Sequence, residues 1–235
     1  MVMERGGTEI KCNVDVEGAN SDPVRAYLAQ PVSGRGRGIL VIHDHWGLTD
    51  ASRDVCDRLA RAGFVALAPD FYHSRNAEDR AAAQRMAKEL DTDRAARDLD
   101  TAVRELFNQH ATEGPSIGAL GFCIGGPLAL LVGCCNRRIG AVVNFYGAHS
   151  KIEPDFTSLE APVLAIFAGD DDSIGESAVR SLESDLQQAD VRASVQIRAG
   201  VQHGYMDDTR PEVFDAVAAS EGWDALLAFF RAELA

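Results

Sequence analysis

Hydrophobic positions along the chain follow one rule near the start and another from residue 38 onward. Residues 8–17 (TEIKCNVDVE) alternate apolar with polar, the period of a strand covered on one face only. Residues 24–31 (VRAYLAQP) predict a second strand ending at Pro31, and the 18–23 stretch supplies the turn of a hairpin between them. Residues 33–38 (SGRGRG) read as a flexible turn. Residues 38–43 (GILVIH) then run continuously apolar, as a strand covered on both faces must. An amphipathic helix follows over 50–62, capped by Thr49 or Asp50 and closed by Gly63. Further strands are predicted at 64–69, 116–122, 139–147, 162–169 and 193–200. Helices are predicted at 76–91 and 92–110, broken near Asp91–Thr92, and at 124–136, 175–189 and 211–233.

Strands separated by helices of this length imply right-handed βαβ crossovers. The expectation is an α/β fold: about eight strands in a mainly parallel sheet, with helices on both faces. Neither a repeat nor a long linker divides the chain, so residues 1–235 are expected to form a single domain. Composition narrows the function. The 235 residues are 46% hydrophobic, with 23 basic against 36 acidic side chains and a net charge of −13. Such a chain has no basic block to displace phosphate counterions, which disfavours nucleic acid and anionic lipid as partners. No apolar run approaches the ~18 residues of a membrane span, and the opening MVMERGGTEI lacks the apolar stretch of a signal peptide. Five irregularly spaced cysteines (12, 56, 123, 134 and 135) do not form a disulfide framework. A cytoplasmic protein is expected, either monomer or homodimer.

The strongest chemical signal is Gly121-Phe122-Cys123-Ile124-Gly125-Gly126, between a predicted strand and a predicted helix. That is the G-x-nucleophile-x-G arrangement, with cysteine as nucleophile. The sharp turn needs small neighbours at −2 and +2, which Gly121 and Gly125 provide. The positive end of the following helix favours thiolate, and the Ile124 N–H is aimed where an oxyanion would form. A small apolar cysteine would also pack well at a glycine-rich junction. The strand–turn–helix setting is what favours the nucleophile, and the other four cysteines lack it.

A thiol nucleophile gains from a histidine that serves as base and then acid. Among six histidines, His149 and His203 follow Cys123, as the order nucleophile–acid–histidine requires. His203 lies just beyond the last predicted strand, where a loop can return it to the elbow. The strand at 162–169 ends in Asp170-Asp171-Asp172, which supplies a carboxylate between the two. Spacing alone does not choose among the three.

Together these segments closely resemble the dienelactone hydrolase family of α/β-hydrolases, from about residue 24 to the end. GFCIGG is similar to the family's cysteine elbow, FAGDDDSIG to its acid turn, AGVQHGY to its histidine loop and WDALLAFF to its final helix. The resemblance implies an α/β-hydrolase fold. In the family's acid turn the aspartate precedes a small aliphatic residue by three, here Ile174, which selects Asp171; Gly175 stands where relatives often have proline, and Asp172 is the alternative. His43-Asp44-His45-Trp46-Gly47-Leu48 is similar to the loop after the family's central strand. The resemblance implies that Asp44, where relatives usually carry glutamate, modulates the resting thiol, and that His45 lends its backbone N–H to the oxyanion hole. Relatives acting on dienelactone hold the substrate carboxylate with arginines. Here Asp207-Asp208 occupy one such place and Arg210 follows out of register, so the implied substrate is a small ester or lactone rather than dienelactone itself.

The expected chemistry is hydrolysis through an acyl-thioester, with no cofactor and no metal. Activated phosphotriesters are a further substrate class that a soft thiolate could attack. Trp46, Tyr72 and Tyr146 follow different strands and are candidates for the pocket wall, although each would serve equally as a core or rim aromatic. Two rival readings remain. His43 and His45 alternate at a strand end as metal ligands do, which would make a metal-dependent hydrolase. Cys123 at a helix N-terminus would also suit a redox-sensing or binding protein that had kept the fold.

Overall fold

The structure is a computed structural model that describes residues 4–6, 9–17, 23–149 and 151–235. Its centre is a nine-stranded sheet in the order β1-β2-β3-β5-β4-β6-β7-β8-β9. Eight strands match the expected set: β2 (Glu9–Glu17), β3 (Pro23–Pro31), β4 (Gly36–Ile42), β5 (Val65–Pro69), β6 (Thr112–Phe122), β7 (Ile139–Phe145), β8 (Val163–Ala168) and β9 (Ala193–Arg198). The ninth, β1 (Glu4–Gly6), is a three-residue strand paired antiparallel with β2 at the sheet edge. The β2–β3 pairing runs antiparallel from Glu9↔Pro31 to Glu17↔Pro23. Most of the predicted hairpin turn lies outside the described residues. From β5 to β9 across the sheet, all neighbours are parallel.

The helices are α1 (Asp50–Arg61), α2 (Arg80–Lys88), α3 (Thr92–Asn108), α4 (Gly125–Cys135), α5 (Glu176–Gln188) and α6 (Ala216–Glu233). The α2–α3 break falls where it was expected, because the Asp91 carboxylate caps α3 by accepting from Arg94 N at 2.9 Å. The C-terminal helix starts later than the sequence pattern predicts. Residues 211–213 form a turn, and Asp215 caps α6 by accepting from Val217 N and Ala218 N.

Strand β4 shows why its sequence is continuously apolar. Ile39 and Val41 pack with Leu59 of α1 and with Leu226 and Phe230 of α6. Leu40 and Ile42 point the other way, to Leu99 of α3 and Leu128 of α4. All four strand side chains are fully buried, each contributing ~1.5–3 kcal/mol of burial. The parallel arrangement brings the carboxyl ends of β4, β6, β8 and β9 to one edge. There β4 and β6 are direct neighbours, with Ile42 level with Gly121. The loop beginning at His43 therefore starts alongside the turn that carries Cys123.

Candidate active site

Cys123 sits in the left-handed region at φ 52°, which costs a non-glycine residue ~1–3 kcal/mol. The surroundings enforce that conformation. Cys123 N donates to Phe145 O at 3.0 Å, and Cys123 O accepts from Gly126 N at 3.0 Å. A Cβ at Gly121 would collide with the Gly125 carbonyl, and one at Gly125 with the Ile42 carbonyl. Both positions need glycine because backbone meets backbone there. Ile124, which follows Cys123, stands immediately before α4 and makes no side-chain cap.

His203 faces the thiol from the loop after β9. Its Nδ1 lies 2.7 Å from Asp171 Oδ2. The other Asp171 oxygen accepts from Ser173 N at 2.8 Å and Ile174 N at 3.0 Å, so the carboxylate is fixed from both sides. The Asp171 side chain is almost wholly buried, whereas Asp170 and Asp172 are exposed. Tyr146, itself strained at φ 40°, sets its ring edge against the His203 ring at 5.0 Å.

A second imidazole reaches the sulfur. His45 Nδ1 lies 3.0 Å from Cys123 Sγ, so the thiol stands between two histidines. Burial opposes charge on the Cys123 sulfur, but hydrogen bonds to His203 and His45, with their charges, outweigh it and bring the thiol down to about 6. Burial likewise opposes charge on His203, and Asp171 and Cys123 overcome it, raising His203 to about 10. His45 is also raised: desolvation works against its charge, and the contact with Cys123 prevails. The Cys123 and His203 shifts both favour a thiolate beside imidazolium.

A cavity of about 760 Å³ opens over this edge, lined by His45, Cys123, Ile124 and His203 together with Trp46 and Arg210. The Arg210 guanidinium lies over the Trp46 ring at 5.6 Å, and its Nε donates to Asp207 Oδ2 at 3.0 Å. A larger groove of about 1090 Å³ lies beyond Ala148 and His149, and its lining includes neither Cys123 nor His203.

The dienelactone hydrolase family model matches residues 24–234. The chain belongs to the dienelactone hydrolase family. With that membership it is a hydrolase of the ester- and lactone-cleaving class. "Protein usf" of Aquifex pyrophilus is 31% identical over 219 residues, covering 90% of this chain and 94% of the relative. A protein of Aquifex aeolicus named "Putative carboxymethylenebutenolidase" is 29% identical over 222 residues, covering 92% and 96%. A solved dienelactone hydrolase-like promiscuous phosphotriesterase from metagenomic libraries superposes with a TM-score of 0.86. It is 22% identical and covers 97% of this chain and 100% of its own. The shared architecture is the α/β-hydrolase fold.

Within this dienelactone hydrolase fold, several residues singled out in the sequence stand elsewhere than expected. Tyr72 is fully buried, edge-on to the His43 and Phe71 rings, and belongs to the core rather than to the pocket wall. Tyr146 is also buried and supports His203 from behind; it borders a small hollow beside Asp44 and Phe122, not the cavity over Cys123. Only Trp46 of the three aromatics lines that cavity. Asp44 accepts from Trp46 N at 2.8 Å, and the hydrogen bond from this loop to the thiol is made instead by His45. Burial raises the Asp44 carboxyl, with the neighbouring His45 charge acting against that.

His43 does not share a ligand position with His45. It is fully buried, stacked on Phe71 at 3.8 Å, and its Nδ1 donates to Asp44 O at 2.8 Å. Burial holds it neutral, down to about 4, against the opposing hydrogen bond and the Asp70 charge. The metal reading based on His43 and His45 therefore loses one of its two ligands to the core. In the sequence the His45 ring figures only as a metal ligand paired with His43; its contact with the thiol was missed. Its signal was the adjacency of β4 and β6, which places the residues just after Ile42 beside those just after Gly121.

Proposed function

We propose that this chain hydrolyses carboxylic esters or lactones through an acyl-thioester on Cys123. The observation that carries the reading is a strained cysteine lying between His203 and His45, with Asp171 fixing His203 from behind. The thiolate attacks the substrate carbonyl, and the N–H groups of Ile124 and His45 receive the oxyanion; one such donor contributes ~3–4 kcal/mol. Protonated His203 then gives its proton to the departing alkoxide. In the second half, neutral His203 takes a proton from water, the hydroxide attacks the thioester, and the acid leaves as the thiolate reforms. Asp171 holds the imidazole tautomer and stabilises its charged form throughout. Asp44 tunes the thiol indirectly, through its charge beside His45.

The cavity lining supports a neutral substrate. It carries three cations, Arg80, Lys88 and Arg210, against three carboxylates, Asp170, Asp172 and Glu212. A dianionic acid would meet as much repulsion as attraction there. Activated phosphotriesters are a second class open to the same thiolate, a reading supported by the phosphotriesterase that shares this fold.

The test is hydrolysis of p-nitrophenyl acetate and butyrate by the wild type and Cys123→Ala, each with and without EDTA. Activity that survives EDTA and is lost in Cys123→Ala is the expected result. Activity lost to EDTA but retained by Cys123→Ala would overturn the mechanism. Absence of turnover of paraoxon-type esters by enzyme active on acetate would remove the phosphotriester extension alone.

A further inference from the structure

His45 gives the site a property that hydrolysis does not require. Cys123 Sγ and one nitrogen each of His45 and His203 lie within 4.8 Å of one another, the one such group of three metal-ligating side chains among the described residues. We propose that these three side chains form a binding site for a soft divalent cation, zinc above all, and that the bound ion switches hydrolysis off.

The donor set fits. One thiolate and two imidazoles are ligands of the kind that Zn²⁺ takes in tetrahedral geometry, with Zn–S ~2.3 Å and Zn–N ~2.0–2.1 Å. Those bond lengths place tetrahedral ligand atoms ~3.3–3.6 Å apart. His45 Nδ1 is already 3.0 Å from Sγ, and the widest separation in the group is under 4.8 Å. Relative movements of up to roughly 1.5 Å between the donor atoms bring the set to those separations.

The second layer fits as well. The Asp171 carboxylate engages His203 Nδ1 at 2.7 Å, which leaves Nε2 for the metal and fixes the ring. This is the carboxylate–histidine–zinc arrangement that orients metal ligands and raises their basicity. The elbow holds Cys123 rigidly through its backbone bonds to Phe145 and Gly126. All three ligands line the cavity, so the fourth position faces it and is open to water.

On coordination the Cys123 sulfur donates a lone pair to the ion, each imidazole donates its ring-nitrogen pair, and any imidazolium that becomes a ligand releases its proton to solvent. No electron is transferred. The ion takes the sulfur pair that would attack a carbonyl and the His203 nitrogen that would carry the proton. Metal-bound enzyme is therefore inactive, the opposite of the metal-dependent hydrolase considered from the sequence.

The test reads metal binding directly, and so is independent of the esterase mechanism. Metal-free protein is titrated with Zn²⁺ against a chromophoric chelator, and with Co²⁺ by absorption. Wild type should take up one equivalent, and Co²⁺ should give visible tetrahedral bands with a thiolate-to-cobalt band in the near ultraviolet. Cys123→Ser should lose the near-ultraviolet band. His45→Ala and His45→Leu, both checked for folding by circular dichroism, should each weaken Zn²⁺ at least about tenfold. One equivalent of Zn²⁺ should protect Cys123 from iodoacetamide in the wild type but not in either His45 variant. Zinc affinity unchanged in the Cys123 and His45 variants would overturn the proposal, as would alkylation that Zn²⁺ does not slow. If Cys123→Ala kept full esterase activity while these metal results held, the hydrolytic mechanism would fall and the metal site would stand.

Discussion

Replacing His45 with alanine isolates the contact that distinguishes this thiol. The substitution removes the ring but keeps the backbone N–H assigned to the oxyanion hole, so an effect on the sulfur separates from one on the carbonyl. The lost hydrogen bond, 3.0 Å from Nδ1 to Sγ, is one to a charged group, worth ~1.5–3 kcal/mol. With ~1.4 kcal/mol per tenfold change in proton affinity, the Cys123 half-point should move from about 6 to roughly 7–8. The sign follows from the charged form: His45 stabilises thiolate, so its removal makes the proton harder to lose. The assay is the rate of iodoacetamide alkylation of Cys123 from pH 4.5 to 9, read by mass spectrometry. A profile that superimposes on the wild type would refute the assignment of His45 as a thiolate partner. The same assay decides how Asp44 acts. If Asp44 works through His45, Asp44→Ala should shift the wild-type profile and leave that of His45→Ala unchanged, a coupling that the double-mutant cycle reads directly.

Further consequences can be checked with the same enzyme. With Cys123 at about 6 and His203 at about 10, kcat/KM for p-nitrophenyl acetate should rise as the thiol ionises near pH 6 and fall as His203 loses its proton near pH 10. These half-points belong to the coupled pair, and a single rise near pH 8–9 would contradict the ion-pair description. Asp171→Asn removes the carboxylate that holds the His203 tautomer and should lower kcat by ~10²–10⁴, while Asp172→Asn, exposed and outside that contact, should leave kcat within about twofold. Gly125→Ala forces a methyl group into the Ile42 carbonyl, so the variant should lose rapid Cys123 alkylation even where circular dichroism shows a folded chain. Phe230→Ala empties a fully buried ring site packed between Phe64 and Gly118 and should cost ~3–5 kcal/mol in urea denaturation.

What the sequence made legible follows from how locally each feature is encoded. Continuous apolar runs such as GILVIH admit few readings once a sheet covered on both faces is assumed. The elbow was legible for the same reason: Gly121, Cys123 and Gly125 are fixed by a turn of a few residues. The three-residue strand Glu4–Gly6 was not, because its place depends on pairing with Lys11, Ile10 and Glu9 rather than on its own pattern. The start of α6 was misplaced because the helical pattern continues upstream of Asp215, and only the cap decides where the backbone begins to coil. Tyr72 and Tyr146 show a further limit. Following a strand end places a residue near the site but does not say whether its ring turns toward the cavity or the core.

His45 lies at the far end of that scale, because its contact depends on which strands are neighbours. Positions 45 and 123 are separated by two crossovers and become adjacent only when β4 and β6 pair with Ile42 level with Gly121. Parallel pairing places both strand ends on the same edge, and each strand contributes a short turn there. One turn holds Cys123 strained against the cavity; the other carries the His45 ring to the sulfur. The two roles assigned to His45 differ in what they demand. The N–H is available from any residue except proline at this position, whereas the ring contact requires a side chain that can accept and donate through nitrogen. The loop backbone can thus serve the hydrolase chemistry of the fold, while the imidazole at position 45 joins that of His203 in lowering this chain's thiol and completes the proposed ligand set.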